Sequence, residues 1–204
     1  MNSAHFSAFV ISAVLFVAAA GTAVAQPLKP VATSGCEACH GVNGDSQKPD
    51  VPRLNGQQSV YLLARLREFQ DPARGAPYSN QMMGANANSI DDVDAAALAD
   101  YFSRQTPTPP SGSGPLAEAG RKIFMEGAGP LIPAPLIPPC FTCHGKNGQG
   151  QGEVPRIAGQ HGDYLNGQLQ AFMLGKRVGT PMNHHAWAMT TEQIQALAAY
   201  LSSN

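Results

Sequence analysis

The sequence predicts an all-α protein built from two copies of one helical unit, and three observations carry that prediction. Apolar residues recur at helical spacing: Leu62, Leu66 and Phe69 in one stretch, Leu165, Leu169 and Phe172 in another. Little of the chain beyond its first residues alternates with period two, so no strands are expected. Most of the chain is also written twice, since "CEACHGVNGDSQKPDVPRLNGQ" from position 36 is echoed by "CFTCHGKNGQGQGEVPRIAGQ" from position 140. Two copies are too few for a solenoid and indicate two domains.

The elements follow in chain order. Phe6 to Ala25 form an apolar run that ends in the small-residue pattern Ala23-Val24-Ala25. That is the form of a secretory signal, which places the mature start near Gln26 and the protein outside the cytoplasm, in the periplasm. An uncleaved membrane anchor is the competing reading, because the run is nearly long enough to span a bilayer and no Lys or Arg precedes it. The first domain is expected over 26–105. Ser59 stands where it would cap the helix of Leu62, Leu66 and Phe69, and Ile90, Val93, Leu98, Tyr101 and Phe102 fit one face of a closing helix. Ser89 with Asp92 is a weak capping-box pattern ahead of it. "TPTPPSGSGP" at 106–115 is a short linker, stiff and then loose, that keeps its neighbours close. The second domain, 116–204, repeats the plan with Met189, Ile194, Leu197, Tyr200 and Leu201, and Thr190 to Gln193 resemble a capping box.

A net charge of -1 with 13% charged residues gives no basic surplus for nucleic acid and no charged tail. Units of about 80 residues bury little apolar surface and usually need a covalent or metal staple. In an exported protein four cysteines would suggest disulfides. Here all four fall inside two Cys-x-x-Cys-His runs, Cys36-Glu37-Ala38-Cys39-His40 and Cys140-Phe141-Thr142-Cys143-His144.

Cys-x-x-Cys-His is the c-type haem attachment signature. Two thiols one helical turn apart match the haem vinyl groups, and the next His lies beneath the iron as proximal ligand. The competing readings are a thioredoxin-like redox pair and half of a zinc site. Two instances with the same downstream pattern behind an export signal favour two covalently attached haem c groups. Met83 and Met182 stand at matching places ahead of the residues that lead into the final helices, Ile90 and Met189. A thioether opposite His favours Fe(II) and closes the iron to other ligands. Met82 is the rival in the first copy, and Met125 and Met173 read as core filler. His184 and His185 beside Met182 have Ala85 and Asn86 as counterparts, and are read as surface or pocket-rim residues. His161, opposite Gln58, reads as incidental. Either a carbonyl of Pro52 and Pro155 or the carbonyl preceding it is placed to accept the proximal His Nδ1–H. Arg53 and Arg156 are candidates for hydrogen bonds to haem propionates, with Tyr61 and Tyr164 as weaker ones.

With these residues assembled, the chain resembles the dihaem cytochrome c4 family from about Ser34 to Leu201. The resemblance rests on the paired attachment runs, the Pro-Arg-Leu/Ile-x-Gly-Gln loops, the Met before each final helix, and the "LADYF" and "LAAYL" endings. It implies two class I cytochrome c domains whose haem edges meet, with Cys36, Cys39, His40 and Met83 serving one haem and Cys140, Cys143, His144 and Met182 the other. One departure is "EGAGPLIPAPLIPPC" at 126–140. Its prolines forbid a helix, and Leu131, Ile132, Leu136 and Ile137 need burial, over the second haem or under a partner. Two closed His/Met haems offer a partner only electrons, so the expected function is a carrier, not an enzyme. Its partners would be a donor and a terminal oxidase or other respiratory redox protein, with membrane association left open. The alternative is the electron-accepting subunit of a dehydrogenase, such as a flavocytochrome c sulfide dehydrogenase or an alcohol dehydrogenase. A dihaem peroxidase would need an open iron, and the duplicated Met argues against it.

Overall fold

The computed structural model describes residues 1, 30, 32–71, 83–129, 137–178 and 181–202. The apolar run at 6–25 and Met82 lie outside these residues. Among the described residues the protein is helical, with three isolated bridges and no strand. No described helix is long and apolar enough to cross a membrane.

In the first unit, α1 (Thr33–His40) carries the attachment run and α2 (Ser59–Gln70) follows the Pro-Arg loop. A short helix α3 spans residues 83–87, and α4 (Asp92–Ser103) closes the unit. In the second, α5 (Gly114–Glu126) precedes α6 (Phe141–His144), which carries the second attachment run. Then come α7 (Gly162–Met173), α8 (Met182–Trp187) and α9 (Thr191–Leu201). The expected linker therefore stays non-helical only to Ser113, and its last two residues open α5 with Pro115 in the first turn, where a missing N–H costs nothing. Each unit has its own core. Leu62, Leu98, Ala99, Tyr101 and Phe102 form one. Phe124, Ile137, Leu165, Met189, Ile194, Leu197, Ala198 and Leu201 form the other, with Met125 and Met173 packed against it.

Three local expectations are corrected, and a fourth is decided between its two alternatives. Ser59 is the first helical residue of α2 rather than its cap, and Gln58 takes the cap position without a side-chain bond. Asp91, not Ser89, caps α4, its carboxylate accepting from the amides of Val93 and Asp94; Ser89 donates back to Asn86 instead. Val93 does not share the buried face and is 79% exposed. Ile137, from the proline-rich departure, is buried in the second core, and its backbone pairs with Ala128. Burial rather than partner docking accounts for that residue; Leu131, Ile132 and Leu136 lie outside the described residues.

The capping box at Thr190 forms as expected, with Thr190 Oγ1 accepting from the Gln193 amide and Gln193 Oε1 accepting from the Thr190 amide. Thr190→Ala is expected to cost about 1 kcal/mol and to lower the unfolding midpoint of the second unit by several degrees in calorimetry. Ser59→Ala, lacking such a bond, is expected to change stability by less than about 0.5 kcal/mol.

Candidate haem sites

Each attachment run is presented by a helix. In α1 the run fills the last turns, and in α6 Cys140 caps a single turn that ends at His144. One thiol of each pair, Cys36 and Cys140, is half-buried, while Cys39 and Cys143 face solvent, and none of the four is joined in a disulfide. Burial pushes the Cys140 thiol up to about 11 and raises Cys36, with the Glu37 charge adding to the latter. A redox-active Cys-x-x-Cys pair needs the opposite, a depressed thiol. Among the described residues no three His, Cys, Asp or Glu gather as a metal-binding group, so the zinc reading has no donor set.

The two histidines are held alike. His40 Nδ1 meets the carbonyl of Pro52 at 2.8 Å, and His144 Nδ1 meets that of Pro155 at 2.9 Å. A carbonyl only accepts, so Nδ1 carries the proton and Nε2 keeps its lone pair. Both rings are buried, 6% and 7% exposed, and burial lowers both pKa values against the opposing effect of the carbonyl, which keeps the imidazoles neutral. A neutral, oriented imidazole beside two thiols one turn apart is the donor set that a covalent haem requires. Of the two carbonyls open to each histidine, it is proline's own that is used.

Met182 opens α8 and Met83 lies in α3, and both are half-buried. Each short helix is anchored by an alanine with no exposure, Ala87 and Ala186. His184 is exposed and His185 half-buried, their rings 5.8 Å apart, in keeping with surface or rim positions.

The Pro-Arg loops meet between the two units. Gln160 Oε1 accepts from the Arg53 amide at 2.8 Å while its Nε2 donates to the Arg53 carbonyl at 3.0 Å. Gln57 does the same to Arg156, at 2.8 Å for both bonds. The Arg53 guanidinium reaches Asp45 and the Gly159 carbonyl, and that of Arg156 reaches the carbonyl of Ala158. His161 is not incidental: it is buried, and its Nε2 donates to the Ser46 carbonyl across the boundary at 2.9 Å. Tyr61 is engaged from the other unit too, accepting from Arg177 Nη2 at 3.1 Å.

Arg177 is the residue that sequence reasoning missed. Only 6% exposed, it lies over the Phe172 ring at 4.5 Å and donates to Gln168 at 2.6 Å, yet its Nε has no partner and no carboxylate pairs with it among the described residues. Burial would lower its pKa, but the phenol oxygens of Tyr61 and Tyr164 hold it charged. Arg65 stands close enough to repel it. A buried cation is normally paired, so this cluster suits an anionic group such as a propionate. The available signal was weak: an arginine a few residues before a candidate methionine.

Two helical units, each with a helix-borne Cys-x-x-Cys-His run and a carbonyl-oriented histidine, define a two-domain c-type cytochrome. The cytochrome c family model matches residues 27–105 and 117–204. Cytochrome c-552 of Acidithiobacillus ferridurans is 41% identical over 202 residues, 97% of this chain and 85% of the relative. The thiosulfate dehydrogenase electron acceptor of Thiomonas intermedia is 35% identical over 197 residues, 93% of this chain and 86% of that one. The solved structure of Acidithiobacillus ferrooxidans cytochrome c4 is 40% identical and covers 84% of this chain and 99% of its own, with a TM-score of 0.76. The chain belongs to the dihaem cytochrome c4 family. It is an electron carrier rather than an enzyme, and its cofactors are two covalently attached haem c groups.

Proposed function

We propose that the protein is exported to the periplasm, with the 1–25 segment removed and the 26–105 and 116–204 domains joined through 106–115. There it passes electrons from a donor to a terminal oxidase or other respiratory acceptor through two His/Met-ligated haems. Bound haem c supplies reversible one-electron exchange between Fe(II) and Fe(III). Cys36 with Cys39, and Cys140 with Cys143, are the attachment thiols. His40 and His144 present Nε2 as proximal ligands, and Met83 and Met182 supply the soft thioether that raises the potential. Arg53, Arg156, Tyr61 and Tyr164, joined by Arg177, gather at the boundary and hold the propionates there. The observation that carries this reading is the pair of buried histidines, each beside a Cys-x-x-Cys pair and each oriented by a proline carbonyl.

A spectroelectrochemical titration of the mature protein tests it. Two high-potential steps are expected, with the far-red Fe(III)–Met band at two-haem intensity and no spectral change on adding carbon monoxide. A low-potential step, or an iron that binds carbon monoxide, would refute His/Met ligation at that haem. A second reading, an electron-accepting partner of a dehydrogenase, is supported by the relative named as the electron acceptor of thiosulfate dehydrogenase. Fast reduction by a purified thiosulfate dehydrogenase would favour that donor, and its absence would remove it.

A further inference from the structure

We propose that Gln160 and Gln57 each tune the haem iron of the opposite domain through one shared peptide group. This rests on the reading of His40 and His144 as proximal ligands. The carbonyl of Pro52 that accepts His40 Nδ1–H at 2.8 Å belongs to the same peptide group as the Arg53 N–H, which donates to Gln160 Oε1 at 2.8 Å. In the other domain the carbonyl of Pro155 accepts His144 Nδ1–H at 2.9 Å, and the N–H of that peptide group, on Arg156, donates to Gln57 Oε1 at 2.8 Å. A side chain of each domain thus ends a two-bond chain that begins on the histidine of the other.

Peptide resonance couples the two bonds. Donation from the amide N–H shifts electron density toward the carbonyl oxygen of the same group, making it a stronger acceptor. A stronger pull on Nδ1–H makes Nε2 a better donor to iron, which favours Fe(III) and lowers the potential. The orientation of each carboxamide is fixed by its other bonds. Gln160 Nε2 donates to the Arg53 carbonyl and Oε1 also accepts from the His161 amide. Gln57 Nε2 donates to the Arg156 carbonyl and Oε1 also accepts from the Gln58 amide. A flipped amide would set its NH₂ group against a peptide N–H on both counts. The wiring is crossed, so each iron senses whether the other domain is docked.

The test uses Gln160→Ala and Gln57→Ala in the two-haem protein, read by proton NMR of the histidine Nδ1–H groups in the reduced state and by the two midpoint potentials. Gln160→Ala is expected to move the His40 Nδ1–H upfield and leave that of His144 in place. The first-domain haem should become easier to reduce by a factor of about three, about 28 mV on a scale of 59 mV per tenfold for one electron. Gln57→Ala should do the same to His144 and the second haem. Simple loosening of the boundary would shift both histidines, or the potentials downward as water enters, and either pattern overturns the proposal, as does an unmoved Nδ1–H in the opposite domain. If the alanine variants fail to mature, Gln160→Glu retains the acceptor and adds charge. It should lower the first-domain potential by a similar factor, and an unchanged or raised potential overturns the proposal. Absence of ring-current-shifted proximal histidine protons in the wild type would instead refute the ligand assignment itself.

Discussion

Met182→His is expected to pull one of the two midpoint potentials down by roughly a few tenths of a volt, within the range of about 0.8 V that axial ligands command. The cause is the donor atom. A thioether is a soft ligand that stabilises Fe(II), whereas an imidazole nitrogen donates more strongly and stabilises Fe(III). The local structure suits the exchange, because Met182 opens α8 and Ala186, one turn on and without exposure, pins that helix to the second domain. The Asn183 side chain also donates to the Arg177 carbonyl, tying the residue after Met182 to the stretch that follows α7. Met182→Ala should halve the far-red band and open one iron to carbon monoxide. Full band intensity in both variants would mean that Met182 is not the ligand. Met83→His should move the other potential in the same way, with Ala87 the matching anchor. A full band in Met83→Ala would transfer the assignment to Met82.

The legible part of this protein was the part written in covalent spacing and repetition. Cysteines one turn apart and a histidine next to them specify the attachment site without reference to anything distant, and proline's carbonyl lies close along the chain. The tandem plan was legible for the same reason, since Leu62, Leu165 and the residues that repeat with them advertise one helical face twice. What was not legible depends on the meeting of the two copies. Gln57 and Gln160 were visible as part of a repeated Gly-Gln pair, but their role needs the other domain's backbone beside them. His161 looked incidental because its counterpart is Gln58, yet the boundary is not symmetric in detail, and only one side uses an imidazole to reach a carbonyl. Arg53 was assigned by the shape of its guanidinium, and the fold adds Asp45 and Gly159 as its partners. Val93 fitted a periodic face and is exposed, because it stands in the first turn of α4, before the helix reaches its core contacts.

Gly120→Leu is expected to remove the second haem site while sparing the first. A Cβ at Gly120 in α5 would lie 1.9 Å from the Ala196 carbonyl oxygen and 2.5 Å from its carbon, both backbone atoms of α9. Backbone cannot swing aside as a side chain can, so the two helices must separate by more than about 1 Å to reach ordinary contact. Glycine in a helix costs about 1 kcal/mol relative to alanine, and here that cost is accepted for the close crossing of α5 and α9. Gly120→Ala recovers the propensity but loses more in overpacking, about 1–3 kcal/mol. Gly120→Leu exceeds that range, against a total stability of about 5–15 kcal/mol for a typical domain. The consequence is directed at function. Phe124, two residues before the end of α5, is fully buried in the second core, and the chain then passes through the Ala128–Ile137 pairing to Cys140. Displacing α5 therefore displaces the approach to the second attachment run, whereas the first core, built from α2 and α4, contains no residue of α5. The checks are the haem count by pyridine haemochrome and the unfolding midpoint. Gly120→Leu should yield about one haem per chain with the first-domain spectrum intact, and Gly120→Ala two haems with a lowered midpoint. Two haems at the wild-type midpoint in both variants would mean that the α5–α9 crossing does not govern the second site.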